Sequence, residues 1–378
     1  MRIMGGRLIT AEGQEFENGY VDFKDGVITA FGDAATAAPA EDEVYDAAGG
    51  YIMPGFIDAH THIGIMEQSV RWEGNDVNEA VDPITPQLKA VDAIYPYDTA
   101  FADAVDCGVT SAVVGPGSAN IIGGEMAFIK LCGDDIEDMI VKAPCAMKMA
   151  LGENPKSCYG LKQKTPQTRM ATAAILREAL TKAKNYMEKK EKGGEPAYDA
   201  KCEALIPVLK GELVAHIHCH RCDDILTAIR IAKEFGIRYT IIHATDGIRA
   251  ARQLKEAGVI PVIGPVLSGS SKPETANRSL KTAGVLYKEG IEVALTTDHG
   301  VVPLMHLPIS AAVSVREGLD MDAAIRSITI NAAKAAEVED RVGSIAVGKD
   351  ADIVVWSGHP FEFLSKPKAV YISGKRVK

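Results

Sequence analysis

Pro54-Gly55-Phe56-Ile57-Asp58-Ala59-His60-Thr61-His62 decides the reading of this chain. The run is β-like and closes on two histidines separated by one residue. Side chains alternate along a strand with period two, so His60 and His62 share a face, where two neutral imidazoles can hold one transition metal. Far downstream, His218, His243 and Asp298 close strand-like runs of their own. Metal-dependent chemistry is the first expectation.

Outward from that run, the chain falls into two textures. The N-terminal stretch alternates apolar and polar residues, as in Tyr20-Val21-Asp22-Phe23-Lys24, and Asp25-Gly26 is a hairpin signal. The C-terminal stretch is similar, with Asp352-Ile353-Val354-Val355-Trp356 and Ala369-Val370-Tyr371-Ile372. Two β-rich ends around a different middle predict one discontinuous β-sandwich domain, residues 1–53 plus 340–378.

The middle, 54–339, repeats strand then helix. Strands are expected at Val109 to Val114, Ala146 to Ala150, Leu213 to Cys219, Tyr239 to His243, Val259 to Gly264 and Glu292 to Thr297. A helix follows from Asp224 to Phe235, with Ile225, Ala228, Ile229 and Ala232 on one face and Gly236 as its stop; Gly258 closes another. Alternation over roughly 280 residues predicts a parallel sheet, and a (β/α)8 barrel of about 250 residues fits better than an open doubly wound sheet, since no Gly-x-Gly-x-x-Gly follows an early strand. Gly115-Pro116-Gly117-Ser118-Ala119-Asn120 and Ile122-Gly123-Gly124 read as a loop near the barrel mouth. Thr165-Pro166 reads as the start of a long helix to about Lys190, whose charge run from Lys182 to Lys192 is a solvated face.

Composition narrows the function. The 378 residues, 47% hydrophobic, can bury a large core, and the formal charge of −10 without clustered Lys and Arg excludes nucleic acid as a partner. No run approaches the ~18 apolar residues of a membrane span. Seven scattered cysteines suit a reducing compartment, and Met1 to Gly6 carries no signal-peptide pattern, so a cytoplasmic location is expected. Cys219-His220-Arg221-Cys222 has metal-like spacing but lacks the second pair a structural zinc needs.

All five polar candidates sit at or just past strand C-termini, which converge on the mouth of such a barrel. One buried histidine alone would read as a satisfied core residue. Five convergent groups do not.

The Pro54–His62 run, Thr296-Thr297-Asp298-His299, Thr329-Ile330-Asn331-Ala332-Ala333-Lys334 and Gly343-Ser344-Ile345-Ala346-Val347-Gly348-Lys349-Asp350-Ala351-Asp352 resemble the amidohydrolase superfamily, in its imidazolonepropionase-related and metallo-dipeptidase-like branch. The resemblance covers nearly the whole chain. It implies a distorted (β/α)8 barrel with a β-sandwich from both termini, and zinc, as one or two divalent ions, activating water against a C–N bond.

Carried over residue by residue, His60 and His62 would bind the first metal, His218 and His243 would be ligands from the fifth and sixth strands, and Asp298 would bind metal and take the proton from its water. His216, His218 and His220 alternate on one strand; the family pattern favours His218, with His216 deeper and His220 nearer substrate. On the fourth strand, Lys148 resembles the lysine that some relatives carbamylate into a bridging carboxylate, and Glu153 is the alternative ligand. Tyr159, Arg221, His220 and His299 are candidate substrate readers, an arginine fork suiting a carboxylate, and His243 or His220 would polarise the carbonyl.

These residues together imply hydrolysis of an amide in a small cyclic or N-acyl, dipeptide-like molecule. A mononuclear deaminase of the same superfamily is the alternative, and a non-catalytic scaffold is the reading from another class. Relatives often assemble as dimers or larger, which leaves homo-oligomerisation open.

Overall fold

Asp25 and Gly26 both adopt positive φ, 51° and 83°, the backbone that a two-residue type I′ hairpin turn demands. They join Glu15–Lys24 to Val27–Asp33 in the computed structural model, which describes residues 1–40 and 43–378. The sheet so begun runs in spatial order Lys375–Arg376, Pro367–Ile372, Ile353–Trp356, Tyr51–Pro54, Arg2–Ile9, Glu15–Lys24, Val27–Asp33, with Val44–Asp46 also beside Arg2–Ile9. Both chain ends therefore build one sheet. It curls on itself, because Phe23 and Tyr371 lie four strands apart in that order yet their ring centroids are 5.5 Å apart. The halves enclose Ile3, Leu8, Val21, Ile52, Ile353 and Val355.

The second sheet has eight strands in chain order: Phe56–Thr61, Val109–Val114, Ile122–Lys130, Ile140–Ala150, Val214–Cys219, Tyr239–His243, Val262–Ile263 and Ala294–Leu295. The fold is α/β, a distorted barrel as expected, and the distortion is specific. Ile122–Lys130 pairs antiparallel with both neighbours, so the chain returns from Val114 to Ile140 as a strand rather than a helix. Ile122-Gly123-Gly124 opens that strand and corrects its reading as loop. The β-rich run Met126-Ala127-Phe128-Ile129 that follows has no helical period to oppose it.

The helix over Cys222–Phe235 ends on Gly236 in the left-handed conformation, and Gly258 caps Ala251–Ala257 in the same way. The long helix spans Arg169–Glu191 and starts from Thr168, whose hydroxyl accepts the Ala171 N–H at 3.1 Å. Thr165-Pro166 is thus outside the helix; three residues later Thr168 makes the cap that was expected of Thr165. Its charge run is largely exposed, pairing Lys182 with Asp199 and Lys190 with Glu203. No helix among the described residues is long and apolar enough to cross a membrane.

A ring stack and a buried ion cluster are among the contacts that join barrel and terminal sheet. Phe56 stacks on Trp356 with centroids 5.3 Å apart. Lys130 Nζ, buried, donates to Asp350 at 2.7 Å, Asp352 at 3.0 Å and Ser373 at 2.7 Å, so this cation is desolvated with every proton placed. Truncating the buried indole leaves a cavity at the junction. Trp356→Ala is expected to lower unfolding free energy by about 3–5 kcal/mol in chemical denaturation; a loss under about 1 kcal/mol would show that the junction does not hold the two sheets together.

Candidate metal centre

The last barrel strand, Ala294–Leu295, is too short to ladder with the first, and side chains close the seam instead. Asp58 Oδ2 accepts the Thr297 N–H at 2.8 Å and its hydroxyl at 2.6 Å, while Oδ1 accepts the His60 N–H at 3.0 Å. The Thr296 hydroxyl donates to His60 O, and His62 N–H donates to His299 O at 2.8 Å. Burial pushes the Asp58 carboxyl up to about 6, against the pull of its donors from Thr297 and His60. This seam sets His60 and His62 opposite Asp298.

At the mouth, Asp298 Oδ1 lies 3.4 Å from His62 Nε2 and 3.6 Å from His60 Nε2. That oxygen is buried and makes no hydrogen bond of its own. His243 joins this group, since one ligand atom each of His60, His243 and Asp298 lies within 4.8 Å of the others. His243 also belongs to a second group with His218 and His220 on the same criterion. Its ring stacks on His220 at 4.5 Å and 9° between planes.

Outward bonds orient the rings. Nδ1 of His62 meets Gly115 O at 2.7 Å, that of His243 meets Gly264 O at 2.8 Å, and that of His220 meets Thr245 Oγ1 at 2.6 Å. With a carbonyl at Nδ1, that nitrogen carries the proton and Nε2 keeps its lone pair for the mouth, the arrangement metal-binding histidines use. Burial, reinforced by neighbouring positive groups, holds His60, His218 and His220 well below the ordinary histidine value and His243 at about 4, so the imidazoles are neutral and able to ligate. Burial opposes ionisation of Asp298, but His243, His62 and Lys148 outweigh it and keep the carboxylate charged. His243 and Asp298 both have left-handed backbone, φ 76° and 54°, strain of the kind that collects at functional sites.

Lys148 is fully buried with Nζ 2.9 Å from His60 Nε2, and desolvation lowers it to about 7. His216 lies beside it in register, deeper in the barrel, its Nε2 on Ala335 O at 2.8 Å.

The structure does not bring every expected residue to this cluster. Glu153 Oε2 accepts the Glu274 N–H at 3.0 Å, and Glu153 belongs to neither ligand group among the described residues. Arg221 is half-exposed and paired with Asp223 at 2.9 and 3.0 Å, because the acid two residues on captures its fork. Tyr159 is buried with its hydroxyl on Asn120, in a network that continues to Thr85. His299 Nδ1 accepts the Leu304 N–H at 3.0 Å and its carbonyl serves the seam. Cys219 is buried with Sγ 3.6 Å from Asp224 O, outside both groups, so the Cys-x-x-Cys spacing carries no metal role here.

Three residues at the mouth went unread. Glu274, 2% exposed, puts Oε1 3.5 Å from His218 Nε2 and 3.7 Å from His220 Nε2. Lys272 Nζ is 2.6 Å from the same oxygen and 2.7 Å from Asn154 Oδ1. Arg278 lines, with His220, His243 and Gly264, a small recess beside the cluster. Removing the seam carboxylate tests its weight. Asp58→Ala strands three buried donors, and an unfolding free-energy loss of about 3 kcal/mol or more is expected; an unchanged midpoint in chemical denaturation would mean that the barrel closes without it.

Comparison with known proteins accords with this geometry. Residues 171–377 match the amidohydrolase family. A crystal structure of an amidohydrolase from Thermotoga maritima MSB8 is 41% identical, with a TM-score of 0.96 over 100% of this chain and 99% of that one. Amidohydrolase tasK of Hapsidospora irregularis is 30% identical over 90% of this chain, which spans only 38% of that relative's length. An imidazolonepropionase of Streptococcus pyogenes serotype M49 (strain NZ131) is 24% identical over 92% of this chain and 87% of its own.

Proposed function

The chain belongs to the amidohydrolase family, whose members are hydrolytic enzymes acting on C–N bonds, and from that premise we propose that it cleaves an amide in a small, carboxylate-bearing cyclic or N-acyl, dipeptide-like substrate. The observation that carries the reading is Asp298 Oδ1, buried, without a hydrogen bond, 3.4 and 3.6 Å from two imidazole nitrogens. Ligands about 2.0–2.1 Å from a tetrahedral zinc stand roughly 3.3–3.5 Å from one another, so the donor set fits a divalent cation. His60, His62 and Asp298 would hold that cation, zinc, and His218, His243 and Lys148, as a carbamate, would hold a second. A bound cation lowers the pKa of water and polarises the scissile carbonyl.

The chain's own groups do the rest. Asp298, ionised, takes the proton of the attacking water and hands it to the leaving nitrogen as the new C–O bond replaces C–N. His243 and His220, neutral with Nε2 lone pairs facing the mouth, would act on the scissile carbonyl through the cation they hold rather than by donating a hydrogen bond. Arg278, with no ion-pair partner among the described residues, faces the recess where a substrate carboxylate would lie. Lys148, buried and half-neutral near pH 7, has a free lone pair with which to add to CO₂, losing one proton and gaining a carboxylate.

A deaminase would call on Glu153 at the substrate, and that carboxylate is instead held by Glu274 N–H. We further propose that residues 1–53 plus 340–378 and 54–339 are the two domains, and that the enzyme works in the cytoplasm, where its seven free cysteines remain reduced.

Metal analysis by plasma mass spectrometry, with assays on an imidazolone propionate and on N-acyl amino acids and dipeptides, tests the reading. Two equivalents falling to one or fewer in Lys148→Ala, with amide cleavage in the wild type, are expected. Asp298→Asn should lower kcat by on the order of 10²–10⁴. Ammonia release from an amidine with no amide cleavage, or failure to take up any divalent metal, would overturn it.

A further inference from the structure

The two halves of the mouth have the same construction, and only one half has been given a carboxylate ligand. Asp298 Oδ1 stands 3.4 and 3.6 Å from Nε2 of His62 and His60; Glu274 Oε1 stands 3.5 and 3.7 Å from Nε2 of His218 and His220. Each pair of histidines is spaced i, i+2 across the C-terminal end of one strand, and His243 groups with His218 and His220 on one side and with His60 on the other. Both oxygens are fully buried; Asp298 Oδ1 has no hydrogen-bond partner, and Glu274 Oε1 faces only the Lys272 ammonium, at 2.6 Å. These separations lie at or within a few tenths of an ångström above the edge of a tetrahedron of metal ligands, about 3.3–3.5 Å.

The fold has aimed this oxygen. Glu153 and Glu274 form a reciprocal clasp in which Glu153 N–H donates to Glu274 Oε2 at 2.8 Å and Glu274 N–H donates to Glu153 Oε2 at 3.0 Å. With Oε2 so fixed, Oε1 is left facing the imidazoles. Gly152, at φ 90°, permits the approach, because a Cβ there would lie 2.8 Å from Glu274 Oε2. A desolvated carboxylate needs a positive partner. Lys272 supplies one, its Nζ 2.6 Å from Oε1. That ammonium is on a side chain about one-quarter exposed and is also held by Asn154, so it can withdraw towards solvent.

We propose that Glu274 is a metal ligand, completing with His218, His220 and His243 a second divalent-cation site, and that Lys272 is the internal cation that yields when the metal enters. The proposal rests on the metal-dependent reading above and adds to it the loop after the seventh barrel strand as a ligand donor. His220 becomes a ligand rather than only a substrate contact. Occupancy of the site is then set by exchange of one cation for another at a single carboxylate.

Full-length protein is stripped with chelator, titrated with Co²⁺, and read by d–d absorption and by metal content after dialysis. Wild type is expected to hold two equivalents, and Glu274→Gln one, with the visible spectrum of the second lost. Lys272→Met, which removes the competing ammonium and leaves every ligand, is expected to bind the second equivalent on the order of tenfold more tightly; a purely structural Lys272 would give weaker binding or none. Two equivalents of unchanged affinity in Glu274→Gln, or a Lys272→Met protein whose second equivalent is no tighter, would overturn the proposal and leave the metal-dependent reading standing. A wild type that binds no Co²⁺ would overturn both.

Discussion

The structure depends on a carboxylate placed where backbone hydrogen bonding runs out. The first and last barrel strands share almost no ladder, and Asp58 bridges them by gripping Thr297 twice and the His60 N–H once. A backbone pair there would have been neutral and inexpensive. The carboxylate is fully buried, and burial pushes it up to about 6 because its three donors only partly offset the desolvation. In exchange, the seam fixes two ligand-bearing strands against each other with side-chain precision: His60 follows Asp58 by two residues, and Asp298 follows Thr297 by one. A ladder four or five residues long would have constrained Asp298 to the strand; the short strand releases it into the left-handed backbone that turns its carboxylate inward.

Around that seam the site uses one device repeatedly. Three imidazoles facing the mouth, His62, His243 and His220, are held from behind, by Gly115 O, Gly264 O and Thr245 Oγ1, so that one nitrogen is committed and the other faces the mouth, whereas Nδ1 of His60 and of His218 is buried without a hydrogen-bond partner. Burial keeps His60, His218, His220 and His243 neutral, and crowding adds to it, since each protonated neighbour would repel the next. The site is thus poor at binding protons and rich in lone pairs. Such an environment favours a compact dication over several separate protons, which is the thermodynamic meaning of the depressed histidine values.

Much of this was legible in the sequence, and the reasons are local. Asp25-Gly26 could turn only one way, and His60, His62, His218 and His243 were visible because period-two alternation places them without tertiary information. The antiparallel strand Ile122–Lys130 was hidden by the glycines that open it and by the strand-helix rhythm on either side. Asp58 lay inside the deciding run, but nothing local says that its partner is 239 residues away. Glu274 was harder still. It sits in Ser270-Ser271-Lys272-Pro273-Glu274, a segment with no periodicity, and only the clasp with Glu153, 121 residues distant, brings it over the imidazoles. Arg221 and Tyr159 show the converse: the right residue type near the right strand, diverted by a closer partner.

Anomalous diffraction at the zinc edge, from crystals of the zinc-loaded protein, tests the central claim most directly. The account predicts a strong anomalous peak at the barrel mouth within bonding distance of His60 Nε2, His62 Nε2 and Asp298 Oδ1. Zinc found only at surface cysteines or carboxylates, with the imidazole cluster closed on itself by hydrogen bonds, would contradict it.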